Sequence, residues 1–297
     1  MNTQEITIPV PWGHISAKLW GENIGVRVLC VHGLQDNCSS FDCLIPLLNP
    51  DKTYLCVDLP NHGYSSRAPL GTRWIQENYV VSLKQVVDYI QWTKFHVIGH
   101  SMGGQILNLF TALYPQHVIT QIILDSSGPI PVEPKEIVLF TRQVIDKLLQ
   151  KEQEIQETDV IPGYTYDEAF HHIKHRFYGE LTDEAARTLL KRSIKYGLSG
   201  KYNFNADQRL KVPYHQMLSP EQHLNVVRNI KCPTLLIIAK ESAEYFKTIY
   251  KAVFDIFKLN PFVEIIEVEG NHDVHINNPK KISEIINKFL SRNSCKL

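Results

Sequence analysis

The chain has 297 residues, enough for one α/β domain that carries an insertion. Hydrophobic residues make up 43% of it, which excludes a disordered chain. Lys+Arg and Asp+Glu are 31 each, a balance that argues against a nucleic-acid partner.

The opening "MNTQEITIPV" has no basic stretch followed by an apolar one, so no secretory signal is expected. Glu5 to Val10 and Ile15 to Trp20 alternate around Gly13 and predict an antiparallel hairpin. The later runs are continuously apolar, as in strands buried on both faces. They are Val26 to Val31, Thr53 to Asp58, Phe95 to Gly99, Gln121 to Asp125, Thr234 to Ala239 and Phe262 to Val268. Runs such as Leu235 to Ala239 are far too short to span a bilayer. Helical spacing is expected over Trp74 to Trp92, Gln105 to Leu113 and Ile282 to Leu290. This alternation predicts a mostly parallel, eight-stranded sheet with helices on both faces.

Between Asp125 and Thr234 the rhythm breaks. No buried-strand run occurs there, but helices are expected over Lys135 to Gln150, Tyr166 to Phe177, Thr182 to Tyr196 and Pro220 to Asn229. The simplest organisation is an α/β core of 1–128 and 226–297 with a helical cap of 129–225 inserted over the sheet's carboxyl edge, where such sheets bind ligands. Aromatics of that insertion, Phe140, Tyr164, Phe170, Phe177, Tyr178, Tyr202, Phe204 and Tyr214 among them, are candidates to line an apolar pocket. The six cysteines are irregularly spaced, and Cys30 and Cys56 fall inside strand runs. They predict buried free thiols of a reducing compartment rather than disulfides or a zinc site. Asn37-Cys38-Ser39 matches a glycosylation sequon that, without a signal, should not be used.

Gly99-x-Ser101-x-Gly103 follows a strand and precedes a helix, the context of a nucleophile elbow. The turn is tight enough that side chains two residues before and after the serine would collide with it, hence Gly99 and Gly103. A serine hydroxyl needs a base. In "EVEGNHDVHINNP" the last strand ends, Gly270 turns the chain and His272 follows, with His275 its competitor. The oxyanion formed on attack needs fixed N–H donors. "CVHGLQDN" supplies a second strand-to-glycine turn, so the expected donors are the backbone N–H groups of Leu34 and Met102. His32 is expected to fix its loop by a hydrogen bond.

These blocks together resemble the α/β-hydrolase superfamily, and more narrowly the serine hydrolase-like proteins of animals. The resemblance rests on "VPWGHISAKLWG", "CVHGLQDNCSSFDCLIPLL", "VDLPNHGYSS", "GHSMGG", "FNADQRL" and "VEGNHDVHINNP", which run nearly end to end. It implies the α/β-hydrolase fold, a nucleophile at Ser101, a histidine at His272 and an inserted helical cap. A serine at the elbow, where some relatives carry aspartate, argues against haloalkane dehalogenase and epoxide hydrolase chemistry. The superfamily usually places its acid after the seventh strand in Gly-x-x-Asp, but here that slot holds Ser242, with Glu241 one residue early. The superfamily's other place is the end of the sixth strand, where Asp125 stands. Asp125 is the first choice, Glu241 the second, and no acid at all the third.

The expectation is therefore a cofactor-independent, metal-free serine hydrolase. It would cleave a small ester, thioester or similar acyl substrate through Ser101, His272 and Asp125. The rival is a hydrolase fold retired to ligand binding, and lyase or perhydrolase chemistry on the same residues is the third alternative. The ending Cys295-Lys296-Leu297 resembles the Ser-Lys-Leu address read by the peroxisomal import receptor. Cytoplasmic and peroxisomal locations are both expected.

Overall fold

The computed structural model describes residues 1–128, 132, 134–157, 163–176, 179–197, 200–212, 218–249 and 251–293. Cys295, Lys296 and Leu297 lie outside them, as do Phe177, Tyr178 and Tyr214. Eight strands form the main sheet. They are β1 (Thr3–Val10), β2 (Gly13–Trp20), β3 (Val26–Val31), β4 (Lys52–Val57), β5 (Phe95–His100), β6 (Val118–Leu124), β7 (Thr234–Ala239) and β8 (Val263–Val268). Their spatial order is β1-β2-β4-β3-β5-β6-β7-β8. β1 and β2 form the expected hairpin with Ile8 opposite Ile15, and β2 runs antiparallel to β4. The remaining pairings are parallel.

Every residue of β4, β5 and β7 is buried, as their unbroken apolar runs predict. β8 departs from that expectation. It is the last strand of the sheet, paired on one side only, and exposes Glu264 and Glu267. Charges on an edge strand block pairing with another chain.

Ten α-helices are described: α1 (Gln76–Tyr89), α2 (Met102–Leu113), α3 (Ile137–Glu157), α4 (Tyr166–Lys174), α5 (Asp183–Ser193), α6 (Pro220–Arg228), α7 (Lys240–Ile249), α8 (Lys251–Leu259), α9 (Val274–Asn277) and α10 (Lys280–Asn293). Successive strand residues point to opposite faces and so feed two separate cores. Leu29 and Val31 pack with Leu83, Val86, Ile106, Phe110, Val227 and Phe257 of α1, α2, α6 and α8. Val28 and Cys30 pack on the other face with Phe41, Ile45 and the Ile282, Ile286, Phe289 and Leu290 stripe of α10. Cys30 and Cys56 stand opposite each other on β3 and β4 as free, buried thiols. Among the described residues no helix is long and apolar enough to cross a membrane.

The segment between β6 and β7 is not purely helical. α4 stops at Lys174 because His175 turns to extended backbone, and His175–Arg176 pairs with Gly179–Glu180. α5 likewise stops at Ser193, and Ile194–Tyr196 pairs with Tyr202–Phe204. These ribbons shorten the two helices expected to reach Phe177 and Tyr196. Tyr164, Phe170 and Phe204 pack against Ala169, Ala185, Leu189 and Leu190, so these aromatics serve the segment's own core.

Polar ties join the segment to the loops after β3 and β4. Arg192 bridges Asp58 (2.7 Å), Glu5 (2.7 Å) and Ser16 (2.9 Å). The Asn37 amide donates to the Leu189 carbonyl (3.2 Å) and to Ser193 Oγ (3.0 Å). Asn37 is buried with its amide committed, so the sequon is closed to modification.

Candidate active site

Ser101 lies between β5 and α2 with φ 50° and ψ −120°, outside the regions that side-chain-bearing residues ordinarily occupy. Its glycines are needed, although not because of the serine side chain. A Cβ on Gly103 would lie 2.1 Å from the Val31 carbonyl oxygen, and one on Gly99 would lie 2.8 Å from the Gly103 backbone. The elbow is jammed against β3 and against itself. Gly104, which the sequence reading passed over, is constrained too, since its Cβ would meet Ile123 at 2.8 Å.

β5, β6 and β7 are neighbours, so their carboxyl ends open at one place. Asp125 follows β6 there, fully buried, with φ 47°. Its backbone N–H donates to the Ile237 carbonyl, and its Oδ1 accepts from the Ala239 N–H, both at 2.7 Å. The loop after β8 brings His272 across. His272 Nδ1–H donates to Asp125 Oδ2 at 2.6 Å, and Ser101 Oγ–H donates to Nε2 at 2.9 Å. A carboxylate can only accept, which fixes the proton on Nδ1 and leaves Nε2 open to the serine. Burial pulls His272 toward its neutral form. The Asp125 hydrogen bond and charge, with Asp273 and Asp36 farther off, outweigh that and raise its pKa above the ordinary histidine value.

The competitors lie elsewhere. Glu241 is exposed in the first turn of α7, and its N–H donates to the Gly270 carbonyl. His275 meets Ser40 Oγ at 2.6 Å, away from Ser101. His32 donates from Nδ1 to the Gly33 carbonyl (2.7 Å) and accepts at Nε2 from the Leu59 N–H (3.0 Å). This ties two loops together, and burial pushes its pKa down to about 4.

Gly33 is pressed against the elbow, for a Cβ there would sit 3.2 Å from Ser101 Cβ. Its neighbour Leu34 and the first residue of α2, Met102, therefore flank the serine. Among the described residues no group accepts a hydrogen bond from either backbone N–H. Leu34 also borders a groove lined by Trp74, Tyr79, Val144, Leu148 and Leu210.

Behind His272 lies a polar cluster that sequence order gives no hint of. Arg176 reaches from its ribbon to Asp36 Oδ1 at 2.6 Å and to Asp273 Oδ1 at 3.3 Å. His100 Nε2–H donates to the His272 carbonyl at 3.0 Å, and its ring lies against that of His275, with centroids 3.9 Å apart and planes tilted by 30°. Asp36, His100 and His275 offer ligand atoms within 4.8 Å of one another. They fit a divalent cation poorly, because the Arg176 guanidinium already holds the Asp36 carboxylate and its charge would repel the ion.

Comparison with known proteins bears on this geometry. Residues 26–240 match the family model described as the alpha/beta hydrolase fold. The chain belongs to the α/β-hydrolase family. The protein is similar to "Serine hydrolase-like protein" of Danio rerio, at 34% identity over 98% of this chain and 89% of that protein. It is also similar to "Serine hydrolase-like protein 2" of Homo sapiens, at 31% identity over 96% of this chain and 93% of that one. Among solved structures, the thioesterase domain from the curacin biosynthetic pathway has the same fold, with TM-score 0.81 and 18% identity over 97% of this chain and 100% of that one. A hypothetical protein of Pseudomonas aeruginosa aligns with TM-score 0.84 at 24% identity over 97% and 99% of the two chains. The chain thus aligns over nearly its whole length with serine hydrolase-like proteins.

Proposed function

We propose that this protein is a serine hydrolase that cleaves small carboxylic esters or thioesters. The observation that carries the reading is the hydrogen-bonded chain from Ser101 Oγ through His272 to Asp125, at 2.9 and 2.6 Å. Ser101 Oγ attacks the acyl carbonyl as His272 Nε2 takes its proton. The tetrahedral oxyanion sits between the Leu34 and Met102 N–H groups, which supports their otherwise unpartnered state. His272 then gives the proton to the leaving alcohol or thiol, and water enters by the reverse steps to release the acid. Asp125 holds the ring's tautomer and stabilises the imidazolium. The acyl group would lie along the groove beside Leu34, whose walls are mostly apolar. Residues 129–225 act as a cap that selects the substrate over the 1–128 and 226–297 core. No step needs a cofactor or metal.

A fluorophosphonate probe tests this directly. It should label the purified protein at Ser101 and fail with Ser101→Ala. A folded wild-type protein that stays unlabelled, beside a known serine hydrolase that reacts in the same tube, favours the ligand-binding alternative.

A further inference from the structure

We propose that the Asp36–Arg176–Asp273 bridge sets the basicity of His272, with Arg176 as a positioning residue that holds two carboxylates against the base of the His272 loop. The inference rests on the reading of His272 as the proton carrier and deepens it.

Three observations support it. Asp273 is the residue after His272 and is 1% exposed, yet its Oδ2 has no hydrogen-bond partner among the described residues. It stands at the start of α9 without capping it, so helix formation does not explain a buried carboxylate there. Asp36 is equally buried and comes from the loop after β3. Among the described residues the two acids, which would repel each other, are joined by the Arg176 guanidinium. Two carboxylates and one guanidinium leave one negative charge fixed beside the imidazole, where water does not screen it.

The other groups around His272 do not dilute this field. Asp125 faces it from the end of β6. His100, at the end of β5, is pushed by burial to a pKa of about 3 and stays neutral. His275 of α9 is held well below its ordinary value, again by burial first. Burial works against both acids: it raises the pKa of Asp273 despite the Arg176 charge, whereas at Asp36 that charge outweighs burial and lowers the pKa. The fixed negative charge thus acts on His272, the one histidine of the three that gains a proton during the reaction.

The test follows the His272 ring of the full chain, with 15N-labelled histidine, by NMR across pH. The signal is assigned by its loss in His272→Gln. Asp273→Asn keeps the shape and cancels the net charge of the bridge, so the His272 midpoint should fall by about one unit, a tenfold loss of proton affinity. Asp36→Asn, on a different loop, should lower it similarly and carries the test should the first variant not fold. Asp273→Glu disturbs the same contacts but keeps the charge, and should leave the midpoint near the wild-type value. A purely structural bridge predicts no such difference between the two variants, since both disturb the same contacts. An unchanged midpoint in a folded Asp→Asn variant, or an equal fall in Asp273→Glu, overturns the proposal. The titration needs no substrate. If the midpoints move as expected but the wild type takes no fluorophosphonate, the hydrolase reading fails and this one stands.

Discussion

The carboxyl edge of the sheet and the segment between β6 and β7 are secured by different forces. At the edge, Ser101 and Asp125 follow strands that are almost wholly buried, and both hold positive φ. Apolar packing on two faces holds that backbone in place against its strain. The segment has its own small apolar cluster, which takes in little of the core beyond Ile276 and Cys43. Its registry comes from polar ties, among them Arg176 and Arg192, each clasping carboxylates of the core. Apolar burial is strong but non-directional, whereas charge-assisted hydrogen bonds are directional. The frame is set by the first and the placement of the segment by the second.

Substitutions should separate the two regions. At the edge, Ser101→Ala should reduce acyl turnover by about 10⁶-fold while circular dichroism shows the same fold. Asp125→Asn should cut turnover by about 10⁴-fold, measured against an ester panel, with little change in melting temperature. Acid should weaken the fold through its buried histidines. Burial lowers His32 and His96 to about 4 and His62 and His100 to about 3. The folded values lie below the unfolded 6.5, so the unfolded chain binds more protons between them. Their contribution is complete above about pH 6.5 and is lost as pH falls toward 4, at about 1.4 kcal/mol per unit per histidine. His272, with a raised value, has the opposite sign and is outnumbered. Melting curves should therefore drop steeply from pH 6.5 to 4; buried His223 of α6, lowered to about 4, adds to the loss, whereas His171, His172 and His175 are exposed.

For the segment, Arg192→Met leaves Asp58 buried without its partner and should destabilise by about 3–5 kcal/mol in urea unfolding. A neutral result there would mean that apolar contacts alone seat the segment. The smallest effect is expected from Glu241→Gln, which should keep near-wild-type turnover. A large loss would shift the acid's role from Asp125 to α7.

What the sequence makes legible depends on how local the signal is. The hairpin, the buried strands and the glycine elbow are written in consecutive residues, and the family blocks fix their order. The partner of His272 is different. Asp125 and Glu241 both follow strands, and only the placement of β6 between β5 and β7 brings the first to the histidine while the second faces solvent. The Arg176 bridge was missed altogether. Its contacts span 140 and 97 positions of sequence, and no periodicity marks an arginine on a two-residue ribbon. β8 reads as fully buried from its apolar residues alone, and its two glutamates were the available hint that it is an edge.

The Ala239 N–H bond to Asp125 Oδ1 has a consequence for how such a protein diversifies. The segment leaves the sheet just after Asp125 and re-enters through β7, which lies beside β6. The carboxylate that meets His272 also staples the exit strand to the return strand. The length and shape of the excursion are thereby uncoupled from the position of the acid. A foreign insert could replace the whole excursion between these two points, provided its ends lie about one strand spacing apart, roughly 4.8 Å. Exchanging that stretch among relatives would then be a route to new substrate selectivity on an undisturbed reacting edge.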